Sequence, residues 1–213
     1  MAGWLPVAIS GALFLWFLTM IPAIARGERL FFTAEWVPAM NISLAFMVDG
    51  LSLTFALLIS GIGTAVTLYS NTYLAGHPQY DRFALYLTSF MLAMLGVVLA
   101  DDLIALFVFW ELTTFTSYML IGFSHNDPKS RRNALQAMLV TAAGGMAFLA
   151  ALVLIALTSG TMRISEVLAQ GDAMREHMLY LPMLILLLLG AFTKSAQMPF
   201  HFWLPNAMAA PTP

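Results

Sequence analysis

The sequence predicts an all-α membrane protein, a bundle of about six transmembrane helices, on three observations. Hydrophobic residues fill 61% of the 213 positions and charged residues only 9%, against roughly 45–50% and 25% in soluble domains. A chain so poor in charge cannot cover a water-facing surface, so lipid must be the solvent for much of it. The apolar residues fall into runs of about 20, the length that carries a helix through the hydrocarbon core. The charges gather between those runs, with two exceptions, Glu111 and Lys194.

The spans follow in order. Residues 1–25 are free of charge and predict a first span at 5–24. No basic residue precedes it and many spans follow, so it reads as a span and not as a cleaved leader. Arg26, Glu28, Arg29 and Glu35 mark a polar loop. The second span is expected at 51–73, with Asp49 as its N-cap. Within it, Gly61-Ile62-Gly63 lacks the rest of a nucleotide-binding fingerprint and reads as a packing or kink site. Asp81 and Arg82 open a short break before a third span at 83–100. Asp101-Asp102 ends it, expected as a solvated cap for a fourth span at 103–123, with a second role as a place where ions enter. The loop 124–132 (SHNDPKSRR) is the most polar stretch. A fifth span is expected at 133–158, containing Gly144-Gly145, then a polar stretch with a short surface helix at 161–177. The sixth is expected at 178–196. The segment 197–213, with Pro199, Pro205, Pro211 and Pro213, predicts a broken or re-entrant piece of the same single transmembrane domain.

Composition narrows the function. A net charge of -2 points away from nucleic acid. With no cysteine in the chain, disulfides and cysteine-ligated clusters are excluded. His77 and His125 are loop residues without companion ligands, so no metal site is expected. The methionines read as apolar filler. Asn41-Ile42-Ser43 fits a glycosylation sequon, a pattern that also arises by chance. The alternating loops carry four basic residues on each side. Those of 124–132 are the most clustered and lie next to spans, which places that loop and the amino terminus in the cytoplasm.

The two intramembrane charges carry the functional expectation. A charge at the bilayer centre costs about 2.5–3.5 kcal/mol on insertion scales. Glu111 sits mid-span, and Thr114 and Tyr118 at i+3 and i+7 share its helical face. Such a stripe should face protein or water. Lys194, Gln197 and His201 repeat the spacing, on one face if the helix continues. Pro199 opposes that: its ring clashes with the Ser195 carbonyl and cannot donate to it. Broken helices of this kind often form transport sites. Acid, amine and imidazole together make up the groups of a proton relay. The bland alternatives are an ion pair that locks two helices together and a lysine that snorkels to the headgroups.

The runs VDGLSLTFALLISGIG (48–63), DDLIALFVFWELTTFTSYMLIGF (101–123) and GAFTKSAQMPFHFWLPNAMAAPTP (190–213) resemble the antiporter-like subunits of respiratory complex I and of Mrp-type multisubunit Na+/H+ antiporters. FHFWLP, MAAPTP and SRRNALQAMLVTAAGG (130–145) are more similar to the MrpA-type subunit of the Mrp antiporter. The resemblance implies that Glu111 and Lys194 form a proton-transfer pair near mid-membrane, that His201 also takes part, and that Lys194 lies in a broken helix. It further implies one half of a larger inverted-repeat unit, with one more helix before Ala2 and further helices after APTP. The expected function is therefore sodium/proton antiport in a cell membrane as part of a multisubunit complex. Its substrates are H+ and Na+, with no cofactor and no enzymatic chemistry. Its partners are the other antiporter subunits, the remainder of the MrpA-type polypeptide and lipid. The alternative is an antiporter-like proton-pumping subunit of complex I or of a membrane-bound hydrogenase. A third reading, a scaffold in which Glu111 and Lys194 merely pair helices, needs no transport.

Overall fold

A computed structural model describes residues 4–37 and 42–208. Asn41 of the sequon and the prolines at 211 and 213 lie outside the described residues. The chain runs α1 (Trp4–Leu18), α2 (Ile21–Ala25), β1 (Leu30–Val37), β2 (Ile42–Val48), α3 (Gly50–Tyr73), α4 (Tyr80–Leu99), α5 (Leu103–Ile121), α6 (Pro128–Ser159), α7 (Ile164–Ala169), α8 (Gly171–Arg175), α9 (Tyr180–Lys194), a 3-10 turn (Phe200–Trp203) and α10 (Leu204–Ala207). Among the described residues, Trp4–Ala25, α3, α4, α5 and α6 are long and apolar enough to cross a membrane, and α9 is a shorter apolar helix. The all-α membrane fold holds, with one addition and several shifted boundaries.

Proline explains two of the shifts. The predicted first span is two helices, because α1 stops at Leu18, whose carbonyl Pro22 can neither satisfy nor approach without a clash. The predicted sixth span stops at Lys194, just before the Ser195 carbonyl that Pro199 disables in the same way. The fifth span starts five residues earlier than expected, at Pro128. There Asp127 caps it, accepting from Lys129 N at 3.0 Å and Ser130 N at 3.3 Å. Proline in the first turn is well tolerated because its missing N–H would be unpaired anyway.

The expected loop at 26–49 instead contains a hairpin. Strands β1 and β2 pair antiparallel from Leu30–Val48 to Val37–Ile42, with an irregularity between Glu35 and Val37. The hairpin lies across one end of the bundle. Ala45 O accepts from Asp101 N at 2.8 Å, and Phe46 stacks at a tilt on Phe109, ring centroids 5.8 Å apart. The expected surface helix at 161–177 is present as α7 and α8, at the same end.

Packing follows chain order, with α1 on α3, α3 on α4, α4 on α5, α5 on α6 and α6 on α9. Buried hydroxyls link α1 to α3, Ser10 Oγ lying 3.2 Å from Thr67 Oγ1. Helix α3 runs unbroken through Gly61-Ile62-Gly63. A methyl at Gly61 would stand 3.1 Å from Phe14, and one at Gly63 2.7 Å from the Met91 sulfur, so both glycines admit a neighbour and neither makes a kink. Asp49 caps α3 reciprocally, accepting from Ser52 N at 2.9 Å while its own N–H donates to Ser52 Oγ at 2.8 Å.

Candidate functional site

Three helices meet at mid-bundle. Glu111 is near the middle of α5, Gly144-Gly145 near the middle of α6, and Lys194 at the last residue of α9. The two glycines are what bring them together. A methyl at Gly144 would overlap the Thr193 side chain, and one at Gly145 would overlap Glu111 Oε1. Gly190 tightens the α6–α9 crossing, since a methyl there would stand 2.6 Å from Phe148 Cβ. Thus α9 lies on one side of the double glycine and the Glu111 carboxyl on the other.

Lys194 is half-buried. Its ammonium donates to Thr114 Oγ1 at 2.7 Å and to the Trp110 carbonyl at 3.3 Å, and lies 5.5 Å from the Trp110 ring centroid. That holds it on α5, one residue before and three after Glu111. Among the described residues no ion pair joins Glu111 to Lys194 within 4.0 Å. The two charges are neighbours on α5, with Thr114 as the direct partner of the lysine. Glu111 Oε1 is buried without a hydrogen-bond partner. Such an oxygen at a functional site is suited to a water or to a proton on the carboxyl.

Beside the lysine is a cavity of about 230 Å³ lined by Lys194, Thr113, Thr114, Ser117, Tyr118, Thr141 and apolar neighbours including Phe90 and Trp203. At about 30 Å³ per molecule it has room for several waters. Thr113 and Thr141 donate to carbonyls of their own helices, at 2.7 and 2.8 Å, which leaves oxygen lone pairs for the cavity. Its lining lies on the side of Glu111 nearer the 122–127 loop.

Of the expected α5 stripe, Thr114 touches the lysine and Tyr118 lines the same cavity, while Glu111 is not among the cavity's lining residues. The expected second stripe does not form. With α9 ending at Lys194, Gln197 and His201 no longer follow it on one helical face, and both are exposed. Past the break, Ala196 has a φ of 52° and a cis bond precedes Pro199. The returning segment is tied down by Trp203 Nε1 donating to Thr193 O at 3.0 Å and Asn133 Nδ2 donating to Asn206 O at 2.9 Å. The snorkelling alternative fails on geometry, because the lysine is held on mid-α5.

Asp101 and Asp102 are 1% exposed, not solvated. Asp102 does cap α5, accepting from Ile104 N and Ala105 N at 2.9 and 3.0 Å. Asp101 ties the bundle end together, accepting from Ser165 N at 2.8 Å, Ser165 Oγ at 3.0 Å and Arg163 at 3.5 Å. Sequence reasoning did not assign Ser117, Thr141 or Thr193. Ser117 lies three residues after Thr114 and Thr193 next to Lys194, which was the available signal; Thr141 has no polar residue three or four positions away. Among the described residues no group of three or more histidine, cysteine or acidic side chains is placed to hold a metal.

Comparison with known proteins bears on the family and the fold. Residues 100–213 match the family described as NADH:quinone oxidoreductase/Mrp antiporter, TM, and residues 36–84 match NADH-Ubiquinone oxidoreductase (complex I), chain 5 N-terminus. A protein named "Putative antiporter subunit mnhA2" from Staphylococcus haemolyticus (strain JCSC1435) is 45% identical over 209 residues, covering 98% of this chain and 26% of that one. Its namesake from Staphylococcus aureus (strain MRSA252) is 44% identical over 213 residues, covering 100% and 27%. The chain thus spans about a quarter of the length of the curated relatives it matches. A chain in the structure of the Mrp complex from Dietzia sp. DQ12-45-1b superposes with a TM-score of 0.89 and 37% identity, over 98% of this chain and 22% of that one. A chain of the membrane-bound sulfane sulfur reductase, an archaeal respiratory membrane complex, shares the fold with a TM-score of 0.80 and 21% identity, over 96% and 42%.

Proposed function

Because the chain belongs to the NADH:quinone oxidoreductase/Mrp antiporter transmembrane family, we propose that it supplies part of a proton path in the MrpA-type subunit of a multisubunit sodium/proton antiporter. The observation that carries this reading is the mid-membrane lysine at the end of a broken helix, held by Thr114 beside a hydroxyl-lined cavity. Glu111 accepts and releases the proton; its Oε1 is buried without a hydrogen-bond partner of its own. Lys194 is the charge partner and relay, linked to the Glu111 helix face through Thr114. Water in the cavity connects Lys194 toward the 122–127 loop. His201, exposed and beyond the break, takes protons onward only through groups outside this site.

The transported ions are H+ and Na+, and the partners are the other antiporter subunits and the rest of the MrpA-type polypeptide. The protein is multi-pass, and we place it in the plasma membrane with the amino terminus and the 122–127 loop in the cytoplasm. The chemistry is transport and not catalysis. The match of residues 36–84 to a complex I family favours a second reading, a proton-pumping subunit whose work is driven by a redox partner. Its discriminating test is whether quinone reduction by the native complex drives proton movement.

For the leading reading, Glu111→Gln in the full assembly keeps size and hydrogen bonding but cannot release a proton. Antiport in membrane vesicles, read with a pH-sensitive dye, should be abolished. Unchanged exchange refutes the role of Glu111. The scaffold reading predicts instead that Glu111→Leu with Lys194→Leu preserves exchange, since buried charges used only for packing are often replaceable.

A further inference from the structure

The two ends of the bundle differ in how their basic residues are partnered. The end carrying the hairpin, α7 and α8 has four basic residues against eight acidic ones. Three of its arginines are ion-paired, Arg26 with Glu28 at 2.8 Å, Arg163 with Asp101 at 3.5 Å and Arg175 with Asp172 at 3.8 Å. The opposite end carries Arg82, Lys129, Arg131 and Arg132 against two acidic residues, Asp81 and Asp127. Among the described residues none of these four basic side chains has an ion-pair partner.

Their placement runs against helix electrostatics. The amino end of a helix bears partial positive charge and favours anions. The first five residues of the 32-residue α6 include no acidic residue and instead present exposed Lys129, Arg131 and Arg132. Asp127, the cap, already has its oxygens on the backbone N–H groups of Lys129 and Ser130. Three cations at the positive pole of a long helix call for an anion from outside the chain.

Two guanidinium groups are already organised to meet one. From α4, Arg82 donates to the Phe123 carbonyl at 3.3 Å, sits 3.3 Å from His125 Nδ1, and lies 5.5 Å from the ring centroids of both Phe123 and Tyr86. Its Nε is buried without a partner. From α6, Arg131 donates to the His125 carbonyl at 2.6 Å. Arginines from two helices thus clasp the same three-residue loop, immediately beyond the end of α5.

We propose that Arg82 and Arg131, with Lys129 and Arg132, form a binding site for the phosphate of an anionic phospholipid headgroup. Basic clusters immediately beside a span recognise such lipids. Guanidinium groups suit phosphate because they donate two parallel hydrogen bonds to it.

The test uses the assembled complex in mild detergent. Phosphatidylglycerol should raise its melting temperature more than phosphatidylcholine, and added salt should shrink the difference. Equal stabilisation by the two lipids overturns the site without any variant. In Arg82→Gln with Arg131→Gln, phosphatidylglycerol retained through purification, read by lipid mass spectrometry, should fall about fivefold per basic residue removed. Arg131→Lys, which keeps the charge, should retain most of it. Unchanged retention in the double variant overturns the proposal. Competition by millimolar inorganic phosphate overturns it in favour of a free-anion site. Loss of another subunit in place of lipid overturns it in favour of an acidic protein surface.

Discussion

Gly145→Ala tests the site through packing alone. The added methyl would stand 3.1 Å from the Glu111 carboxyl carbon and overlap Oε1, where ordinary contact begins at 3.4 Å. The carboxyl must retreat by on the order of 1 Å, a displacement that costs about 100-fold in rate at a reacting group, or about 2.7 kcal/mol of barrier. The fold should survive. Overpacking costs about 1–3 kcal/mol, and alanine recovers about 1 kcal/mol of helix propensity over glycine. The assay is dye-reported antiport in vesicles, normalised to the amount of assembled complex. A fall of about 10- to 100-fold with normal assembly is expected. Shortening the acid in the double variant Gly145→Ala with Glu111→Asp draws the carboxyl back and should recover part of the loss, a coupling that independent sites would not show. Wild-type exchange in Gly145→Ala would refute the reasoning, since it would mean that the position of the Glu111 carboxyl does not matter.

Thr114→Val removes the hydroxyl 2.7 Å from Lys194 and leaves the ammonium only the Trp110 carbonyl. A hydrogen bond to a charged group is worth about 1.5–3 kcal/mol, so antiport should drop about tenfold or more, while Thr114→Ser should stay near wild type. Asp101→Ala should destabilise the complex by about 3 kcal/mol in thermal unfolding, because it strands the Arg163 charge and the Ser165 donors. Asp102→Asn, which keeps an oxygen for the cap, should cost only a few tenths of a kcal/mol. Asp49→Ala should cost about 1 kcal/mol through the lost cap. Its backbone hydrogen bond from Ser52 holds the Asp49 carboxyl below its ordinary value of 3.8. The stabilisation is therefore complete above about 3.8 and is lost as pH falls through the lowered folded value. The gap between wild type and variant should close only in strong acid.

The sequence by itself determined the solvent, the approximate course of the helices and the identity of the two intramembrane charges. These follow from local facts: hydropathy over about 20 residues, caps such as Asp49 and Asp102, and the i+3 and i+7 spacing that places Thr114 and Tyr118 with Glu111. The reading of Pro199 as a helix breaker was local too, and correct. Pro22 obeys the same rule and was equally legible, yet the unbroken hydropathy of residues 1–25 concealed it. The hairpin was hidden because Arg26, Glu28, Arg29 and Glu35 marked the stretch as a polar loop, while the pairing of β1 with β2 depends on residues farther along the chain. The structure decided everything that depends on neighbours distant in sequence. Hydropathy read Asp101 as solvated because two charges in a row suggest water, but Ser165 and Arg163, more than 60 residues on, surround it. Helical spacing placed His201 with Lys194, but the helix ends before the spacing can act. The double glycine was visible as a pair of small residues. That it admits Thr193 on one side and Glu111 on the other required the packing of α5, α6 and α9. Most of all, two charges in one apolar chain suggested a direct pair, and only the tertiary structure put Thr114 at the lysine. A side chain's periodicity fixes which way it faces on its own helix, whereas its partner is fixed by which other helices the core can accommodate against that face.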